Sequence, residues 1–551
     1  MSPLSTVEMP SFRKLIDDIL SKDESAHMKH LSRRTLGKHI QTRFIENMDE
    51  LRTILKNADY VCTTADVWST STRRFLGVTA HWIDSKTFTI KSAAIACRRF
   101  SGTHTYDRIA ELLHEIHLSF SLDSKKLVST VTDNGSSFVK AFNEFGIKIP
   151  LLTHDEGATD FMSDDDEDDD TIDPYVGNNA SSQIPFDAEP ALPEDEPHQF
   201  RPKPSLSVHM RCASHTINLI ASTDFTSFIK QSATLSSQHS ETINRCQVLW
   251  SLLRSPKKRE IMIEYLGKPL TKPICVRWNS LFDSLALIVS LRDDIITFSE
   301  AVGITNTMQD SDFKYLEDYL NCTRPLIDTL NKLQGEKNCS YGYLLPCVIT
   351  LRRKLLAVKT NVGTTFCNDA VDYLIERVEH RFRDLFEVED CGKWAAIAAV
   401  IHPQFKTQWL GCLSIEAQKK VYSVVMTAAT DAEAVVLSTT NTPNKVDEFF
   451  DFGNISSTTY SELDIFSNTG AQLQVKKYLH EPVTNNLLAV DVYPVVKKIF
   501  LKYNTPLPSS AAVERFFSYA TMHNLPRYNR LKDYNFEIRV LAKCNSSKNW
   551  R

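Results

Sequence analysis

The feature that most constrains the fold is a change of hydrophobic period near residue 60. Before this point apolar residues recur every three or four positions, as in amphipathic helices, and after it β-branched and aromatic residues form short runs. The runs predict strands over 60–65, 75–82, 88–96 and 127–132, with a hairpin turn at 84–86. The last run is almost continuously apolar, which indicates a strand that is buried on both faces.

Helical patterns lie between and after these runs. A helix is predicted over 109–116 and another around 138–142, and a short strand near 208–211 should return to the sheet before a helix at 216–221. The order of three strands, a helix, a strand and a helix predicts an α/β core with a mixed sheet. From about 225 to 500 the hydrophobic period is helical again.

These patterns divide the chain into six parts. They are a helical N-terminal segment (1–57), the first part of the α/β core (58–150), an acidic loop (151–206), a continuation of the core (207–225), an all-α insertion (226–470) and a C-terminal region (471–551).

The net charge of −5 conceals an uneven distribution. Between 155 and 196 there are 16 acidic residues and no Lys or Arg, so without this stretch the remaining chain carries +11. Low hydrophobicity and high charge predict that the acidic loop is disordered. A basic folded body indicates a polyanionic partner, for which the acidic loop would compete, although a plain solvated linker explains the loop equally well.

The sequence also bears on the compartment. It contains no apolar run of about 18 residues, and its N-terminus does not resemble a signal peptide, so we expect neither a membrane partner nor secretion. The 12 cysteines include no Cys-x-x-Cys pair, which favours a reduced nuclear or cytosolic compartment over a disulfide framework.

Two aspartates and one glutamate are the candidates for chemistry. Asp66 ends the first predicted strand and Asp133 the fourth, so if these strands are adjacent and parallel, both carboxylates emerge at the same edge of the sheet. Glu514 lies in the first turn of an amphipathic helix that begins after Pro508. Each acid alone has a simpler explanation, because Asp residues are common in turns and a glutamate in a first helical turn complements the helix dipole.

Five short motifs carry a family resemblance. They are Thr64-Ala65-Asp66-Val67-Trp68-Ser69, Thr132-Asp133-Asn134-Gly135-Ser136, Arg211-Cys212-Ala213-Ser214-His215, Arg277-Trp278-Asn279-Ser280 and Pro508-Ser509-Ser510-Ala511-Ala512-Val513-Glu514-Arg515-Phe516-Phe517-Ser518. In these motifs and their order the chain resembles hAT-type DNA transposases (the hobo/Activator/Tam3 superfamily) and their relatives, the zinc-finger BED domain-containing proteins.

The resemblance implies a ribonuclease H-like α/β core that the all-α insertion interrupts and the C-terminal region completes. It also implies that Asp66, Asp133 and Glu514 are the catalytic residues and the ligands of Mg²⁺ or Mn²⁺, ions that prefer oxygen donors. With such ions bound, a water or a 3′-hydroxyl would be activated for the phosphoryl transfer that cleaves and joins DNA strands.

Contacts with DNA are implied for Arg211, His215, Arg277 and Trp278. The resemblance makes Arg277 a phosphate ligand and Trp278 a platform for an extruded base, with the protein in the nucleus. Packing alone offers an alternative, in which His215 is a core histidine beneath the sheet and Trp278 anchors a helix.

A homodimer or higher homo-oligomer is the second implied assembly. Its interface would contain Phe516, Phe517, Leu525, Leu531, Val540 and Leu541, because the large apolar side chains of this region exceed what one helix pair can hide.

The chain departs from the family pattern in several places, two of which bear on its function. No cysteine precedes Cys62, so the zinc finger either is absent or precedes this sequence, and we expect no structural zinc here because Cys212 and His215 lack a second ligand pair. The tryptophan-rich helix that precedes a Tyr-Pro pair in the family is missing before Tyr493.

The carboxylates favour an active transposase, whereas the departures favour a domesticated, catalytically inactive DNA- or chromatin-binding regulator. A plain ribonuclease is disfavoured by the length of the insertion.

Overall fold

The computed structural model describes most of the chain, with gaps. The described residues are 4–20, 30–70, 73–100, 105–148, 203–274, 278–304, 306–335, 339–362, 365–439, 470–524 and 531–547. The disorder predicted for the acidic loop falls almost wholly outside them.

A five-stranded mixed sheet forms the first half of the fold. Its strands are β1 (Val61–Ser69), β2 (Arg74–Ile83), β3 (Ile90–Arg99), β4 (Leu127–Thr132) and β5 (His209–Arg211). The order is β3-β2-β1-β4-β5, in which β1, β2 and β3 pair antiparallel, and β4 pairs parallel with both β1 and β5. The predicted mixed sheet is therefore confirmed, and all six residues of β4 are buried as its apolar run indicated.

The third strand begins later than the sequence indicated. Phe88 lies in the left-handed region (φ 55°), within a turn in which its N–H donates to the Asp84 carbonyl at 2.8 Å. Regular pairing therefore starts at Ile90 and continues to Arg99. Phe88 is apolar but serves as a buried turn residue, which strand propensity cannot distinguish from a strand residue.

Four helices accompany these strands in the first 150 residues. They are α1 (Pro10–Leu20), α2 (Arg33–Asn57), α3 (Tyr106–Ser119) and α4 (Ser136–Phe145). Leu51 and Leu55 of α2, Leu113 of α3 and Phe138 of α4 join one buried cluster with Val61 of β1. Each such side chain stabilises the fold by about 1.5–3 kcal/mol, so these helices hold one face of the sheet.

The remaining helices belong to the insertion and the C-terminal region. They are α5 (Ala213–Leu219), α6 (Phe225–Gln231), α7 (Ala233–Ser251), α8 (Pro256–Leu266), α9 (Trp278–Ser290), α10 (Arg292–Val302), α11 (Asp310–Leu333), α12 (Leu344–Val362), α13 (Thr365–Arg381), α14 (Arg383–Glu387), α15 (Asp390–Ile401), α16 (Ile415–Thr439), α17 (Gly470–His480), α18 (Pro494–Asn504), α19 (Ala511–His523) and α20 (Asp533–Cys544). Their main core is continuous with the second face of the sheet, through Val128, Val131 and Met210. Within the described residues, no helix is both long and apolar enough to span a membrane.

A buried asparagine fixes the end of α18. The Asn504 Oδ1 accepts hydrogen bonds from the Ser340 hydroxyl (2.7 Å) and the Gly342 N–H (3.1 Å), and its Nδ2 donates to the Ala398 carbonyl (3.1 Å). All three of these Asn504 side-chain bonds reach residues of the insertion. They therefore fix the C-terminal end of α18, from which the chain returns to the sheet.

The last two helices pack on the antiparallel end of the sheet. Val513, Phe516 and Phe517 of α19 and Phe536 and Val540 of α20 form a third cluster, the C-terminal clamp, with Phe75, Ala94 and Cys97 of β2 and β3. The Asn545 side chain also bonds both the N–H and the carbonyl of Ala94, at 3.0 and 2.9 Å. The C-terminal region is thereby attached to the sheet by packing and by hydrogen bonds.

Candidate active site

Asp66 and Asp133 lie side by side at one edge of the sheet. The parallel ladder of β1 and β4 ends at the pair Thr64–Val131; two residues later come Asp66, still within β1, and Asp133, directly after the end of β4. Because the two strands are adjacent and parallel, both carboxylates lie at the same edge of the sheet.

One detail of the prediction for Asp66 was wrong. Asp66 does not end its strand, because β1 continues to Ser69 through antiparallel pairing with β2, in which Asp66 lies opposite Gly77. Asp66 instead marks the point at which the ladder to β4 has ended. It is half-buried, as is Asp133.

Glu514 reaches this edge because the C-terminal clamp holds α19 against Gly77. A Cβ atom on Gly77 would lie only 2.5 Å from Phe517 Cζ and 3.1 Å from Phe516 Cε1. The helix therefore approaches the backbone of β2 more closely than any other residue type would permit. Glu514 occupies the first turn of this helix and is exposed.

The thiol of Cys212 holds the beginning of α19 from the other side. Its Sγ accepts hydrogen bonds from the backbone N–H groups of Ser510 (3.2 Å) and His215 (3.4 Å), while the Ala213 N–H donates to the Pro508 carbonyl (2.9 Å). Cys212 is completely buried. Two of the motifs singled out in the sequence are thus joined directly.

The negative charges of Asp133 and Glu514 both act on the carboxyl group of Asp66. The pKa of Asp66 is raised to about 7, first by burial, then by the negative charge of Asp133 and to a smaller extent by that of Glu514, against a hydrogen bond from the Val67 N–H (2.7 Å). Burial also raises the pKa of Cys212, and the charge of Glu514 adds to that effect. Three carboxylates that repel one another in this way are stabilised together by a cation.

The residue types fit a hard divalent cation, but their arrangement is not a formed metal centre. The Asp133 Oδ1 accepts a hydrogen bond from the Gly135 N–H (3.2 Å), and the Glu514 Oε1 accepts one from the Ser510 hydroxyl (3.5 Å). Among the described residues, no three His, Cys, Asp or Glu side chains are placed to hold one ion. The structure therefore brings the three acids into one electrostatic neighbourhood without joining them as ligands.

Two buried polar atoms in the motifs that contain Asp133 and His215 lack partners within the described part of the chain. They are the Asn134 Oδ1 and the Ser214 Oγ, whereas the Asn134 Nδ2 donates to the Thr216 hydroxyl at 3.2 Å. An unpaired buried polar atom costs about 1–3 kcal/mol.

The residues predicted to contact DNA differ in exposure, and two of them are not fully described. Arg211 is exposed on β5, and its charge opposes the effects of burial and of Asp390, which raise the pKa of Asp384. His215 is half-buried in the first turn of α5. Trp278 begins α9, although its side chain and the whole of Arg277 lie outside the described residues.

The residues predicted for dimerisation lie mostly inside the chain. Phe516, Phe517, Val540 and Leu541 are at most 6% exposed and belong to the C-terminal clamp, Leu531 is packed against it, and Leu525 is outside the described residues. One helix pair does not hide these side chains by itself, but the sheet supplies the remaining cover, so their burial does not require a second protomer. Dimerisation stays a prediction.

Sequence reasoning overlooked Gly77 and the structural role of Cys212. Gly77 did have a signal, since a lone glycine within a β-branched and aromatic run indicates a close approach of another segment. Cys212 had none, because its sequence neighbours do not reveal a partner almost 300 positions away.

A comparison with known families matches the part of the chain that contains most of the sheet. Residues 64–154 match the protein-family model of the ZBED1 RNase-like domain. This stretch contains Asp66 and Asp133 but not Glu514. The match supports a relationship with the ZBED and hAT-derived proteins, and it fits a ribonuclease H-like core for the mixed sheet. No curated protein matched the chain.

Proposed function

We propose that this chain is a hAT-type DNA transposase or a transposase-derived protein, which binds DNA, dimerises through its C-terminal region and carries a metal-dependent site of Asp-Asp-Glu type. The observation that carries the proposal is that the charges of Asp133 and Glu514 both act on Asp66, in a chain whose residues 64–154 match a ribonuclease-like domain. We propose the nucleus as the compartment, because a relationship with the ZBED family suggests a nuclear protein.

In this proposal the chain's own residues have separate tasks. The sheet fixes Asp66 and Asp133, and the C-terminal clamp and Cys212 fix the helix that carries Glu514. A divalent cation bound by these carboxylates would supply the activation of a water or 3′-hydroxyl and the stabilisation of the leaving oxygen. The Asn134 Oδ1 and the Ser214 Oγ, in the segments that follow Asp133 and Cys212, have no hydrogen-bond partner among the described residues.

One observation favours a second function. Glu514 is exposed and bonded locally to Ser510, and the described side chains do not form a three-ligand metal centre. A domesticated protein that binds DNA or chromatin in the nucleus without cutting it would have this arrangement. The same surfaces for DNA and dimerisation would then serve regulation.

A DNA cleavage assay separates the two functions. Wild-type protein is incubated with Mn²⁺ and a DNA substrate that can form a hairpin at the cut, beside Asp133→Asn and the control Asp59→Asn. Asp59 is exposed and precedes β1, so the same chemical change is made at the opposite end of that strand. We expect cleavage by wild type and Asp59→Asn and a loss of at least about a hundredfold in Asp133→Asn. Equal cleavage by all three proteins would refute the catalytic assignment, and DNA binding without cleavage by any of them would favour the regulator.

A further inference from the structure

A strongly cationic surface lies on the insertion at α8. It comprises Arg254, Lys257, Lys258, Arg259, Lys268 and Lys272, which we call the α8 surface. All six side chains are exposed. They fall in the turn before the helix, in its first turn and in the segment that follows it.

The charge of the α8 surface is not balanced within the described residues. None of its six cations forms an ion pair there, and only Glu260 and Glu264 supply negative charge between 254 and 272. Some exposed cations elsewhere on the insertion pair with carboxylates: Lys354 with Asp328 at 2.8 Å, and Lys359 with Asp372 at 2.7 Å. Others, such as Lys314, form no ion pair among the described residues, so the α8 surface is distinguished by having six such cations within residues 254–272.

The positions of three of these cations work against the helix itself. Lys257, Lys258 and Arg259 occupy the first turn of α8, near the positive end of its dipole, where each costs about 0.3–1 kcal/mol. Ser255 makes no side-chain cap there. The helix forms nevertheless, because Pro256 starts it, Met262 and Leu266 are buried, and Gly267 ends it at φ 68°. The stability of α8 thus does not explain this charge pattern, whereas the binding of an external anion does.

We infer that the α8 surface binds the phosphate backbone of a DNA duplex, at a site separate from the carboxylates. Eleven residues of helix extend for about 16 Å, with cations at both ends. Duplex DNA carries one phosphate charge per about 1.7 Å of its axis, so a duplex presents about ten charges over this length. A single small anion would engage only one end. The inference rests on the proposed DNA-binding function and assigns a surface to it.

The test is the salt dependence of DNA binding. The triple variant Lys257→Gln, Lys258→Gln, Arg259→Gln is compared with wild type on a duplex of about 30 base pairs, over about 50 to 200 mM salt. If these cations contact phosphates, the slope of log K against log salt should fall by up to about 2.7, and affinity at about 100 mM salt should fall at least about tenfold.

A matched triple, Lys314→Gln, Lys419→Gln and Lys477→Gln, controls for net charge. These lysines are exposed on three other helices and form no ion pair within the described residues, so we expect a slope close to that of wild type. The α8 variant should unfold thermally at or above the wild-type temperature, because it removes cations from a positive helix end. A misfolded protein would not behave in this way.

The outcomes distinguish the inference from the proposed function. Wild-type binding with an unchanged slope in the α8 variant would overturn the inference alone. A wild-type protein that binds no DNA would refute the proposed function. Stronger binding of an RNA duplex, with the same dependence on the three cations, would overturn the assignment to DNA.

Discussion

Replacing Gly77 by alanine should displace α19 from the sheet and loosen the carboxylate site. The added Cβ would lie 2.5 and 2.7 Å from two ring atoms of Phe517, which are distances that carbon atoms do not tolerate. The ring cannot simply move aside, because Trp68 stacks on it with centroids 5.9 Å apart and Phe516 lies next to it at 5.5 Å. The helix itself therefore has to shift, and Glu514 shifts with it.

The magnitude follows from overpacking of a closed cluster. Inserting a methyl group into a well-packed core costs about 1–3 kcal/mol. If this cost falls on the clamp, the amides of α19 should exchange with solvent about 5- to 150-fold faster, because local opening becomes easier by the same free energy. Hydrogen exchange followed by mass spectrometry on peptides from 511–523 measures this directly.

Two further variants make the measurement specific. Gly411→Ala is the control, since no atom lies within 4 Å of its added Cβ, and alanine there should be neutral or stabilise by up to about 1 kcal/mol. Adding Phe517→Leu to Gly77→Ala removes the ring that clashes and should restore much of the protection, so the two substitutions should be strongly non-additive. Unchanged exchange in Gly77→Ala, or equal effects of the two glycine substitutions, would refute the proposed contact.

Three other predictions concern charge, burial and assembly. Because the pKa of Asp66 is raised from 3.8 to about 7, its contribution to stability is present below about pH 4 and is lost as pH rises through 7. Asp66→Asn should therefore become more stable than wild type by at most about 4 kcal/mol at neutral pH, which denaturation at pH 4 and 8 measures; a difference independent of pH would contradict the cause given. Asp312, only 2% exposed, accepts hydrogen bonds from Thr242 (2.7 Å) and Arg245 (2.7 and 2.9 Å), so Asp312→Ala should destabilise the insertion by about 3–5 kcal/mol in thermal unfolding, unlike the exposed control Asp310→Ala. Sedimentation should show a concentration-dependent dimer, and a monomer at high micromolar concentration would count against it.

The sheet and its two aspartates were accessible from the sequence for a physical reason. Strand periodicity is local, and the strand order of an α/β core leaves few arrangements, so adjacent β1 and β4 bring Asp66 and Asp133 to one edge. The end of β1 was misjudged because β-propensity does not reveal how far pairing with β2 extends beyond pairing with β4. Glu514 came from resemblance alone, since a glutamate in a first helical turn has an ordinary explanation.

Contacts across long chain separations were not accessible in the same way. The excess of apolar side chains in α19 and α20 was correctly recognised, but its partner was taken to be a second protomer when the described structure shows β2 and β3. An apolar face specifies that something must cover it and does not specify what. The hydrogen bond from the Ser510 N–H to the Cys212 thiol has no sequence pattern at all, because one thiol can accept from any nearby N–H.

The late position of α19 in the chain has a consequence for biosynthesis. A nascent chain emerging from the ribosome can complete β1 to β4 while Glu514 and both helices of the C-terminal clamp are still unmade. During that interval Phe75, Ala94 and Cys97 lack the side chains that cover them, and the two aspartates lack their third acid. Translation that stops short of α19 thus yields a product with an uncovered apolar sheet face. Such a product would aggregate or be degraded by proteases. The three acids can therefore come together only on chains that have been translated beyond Glu514.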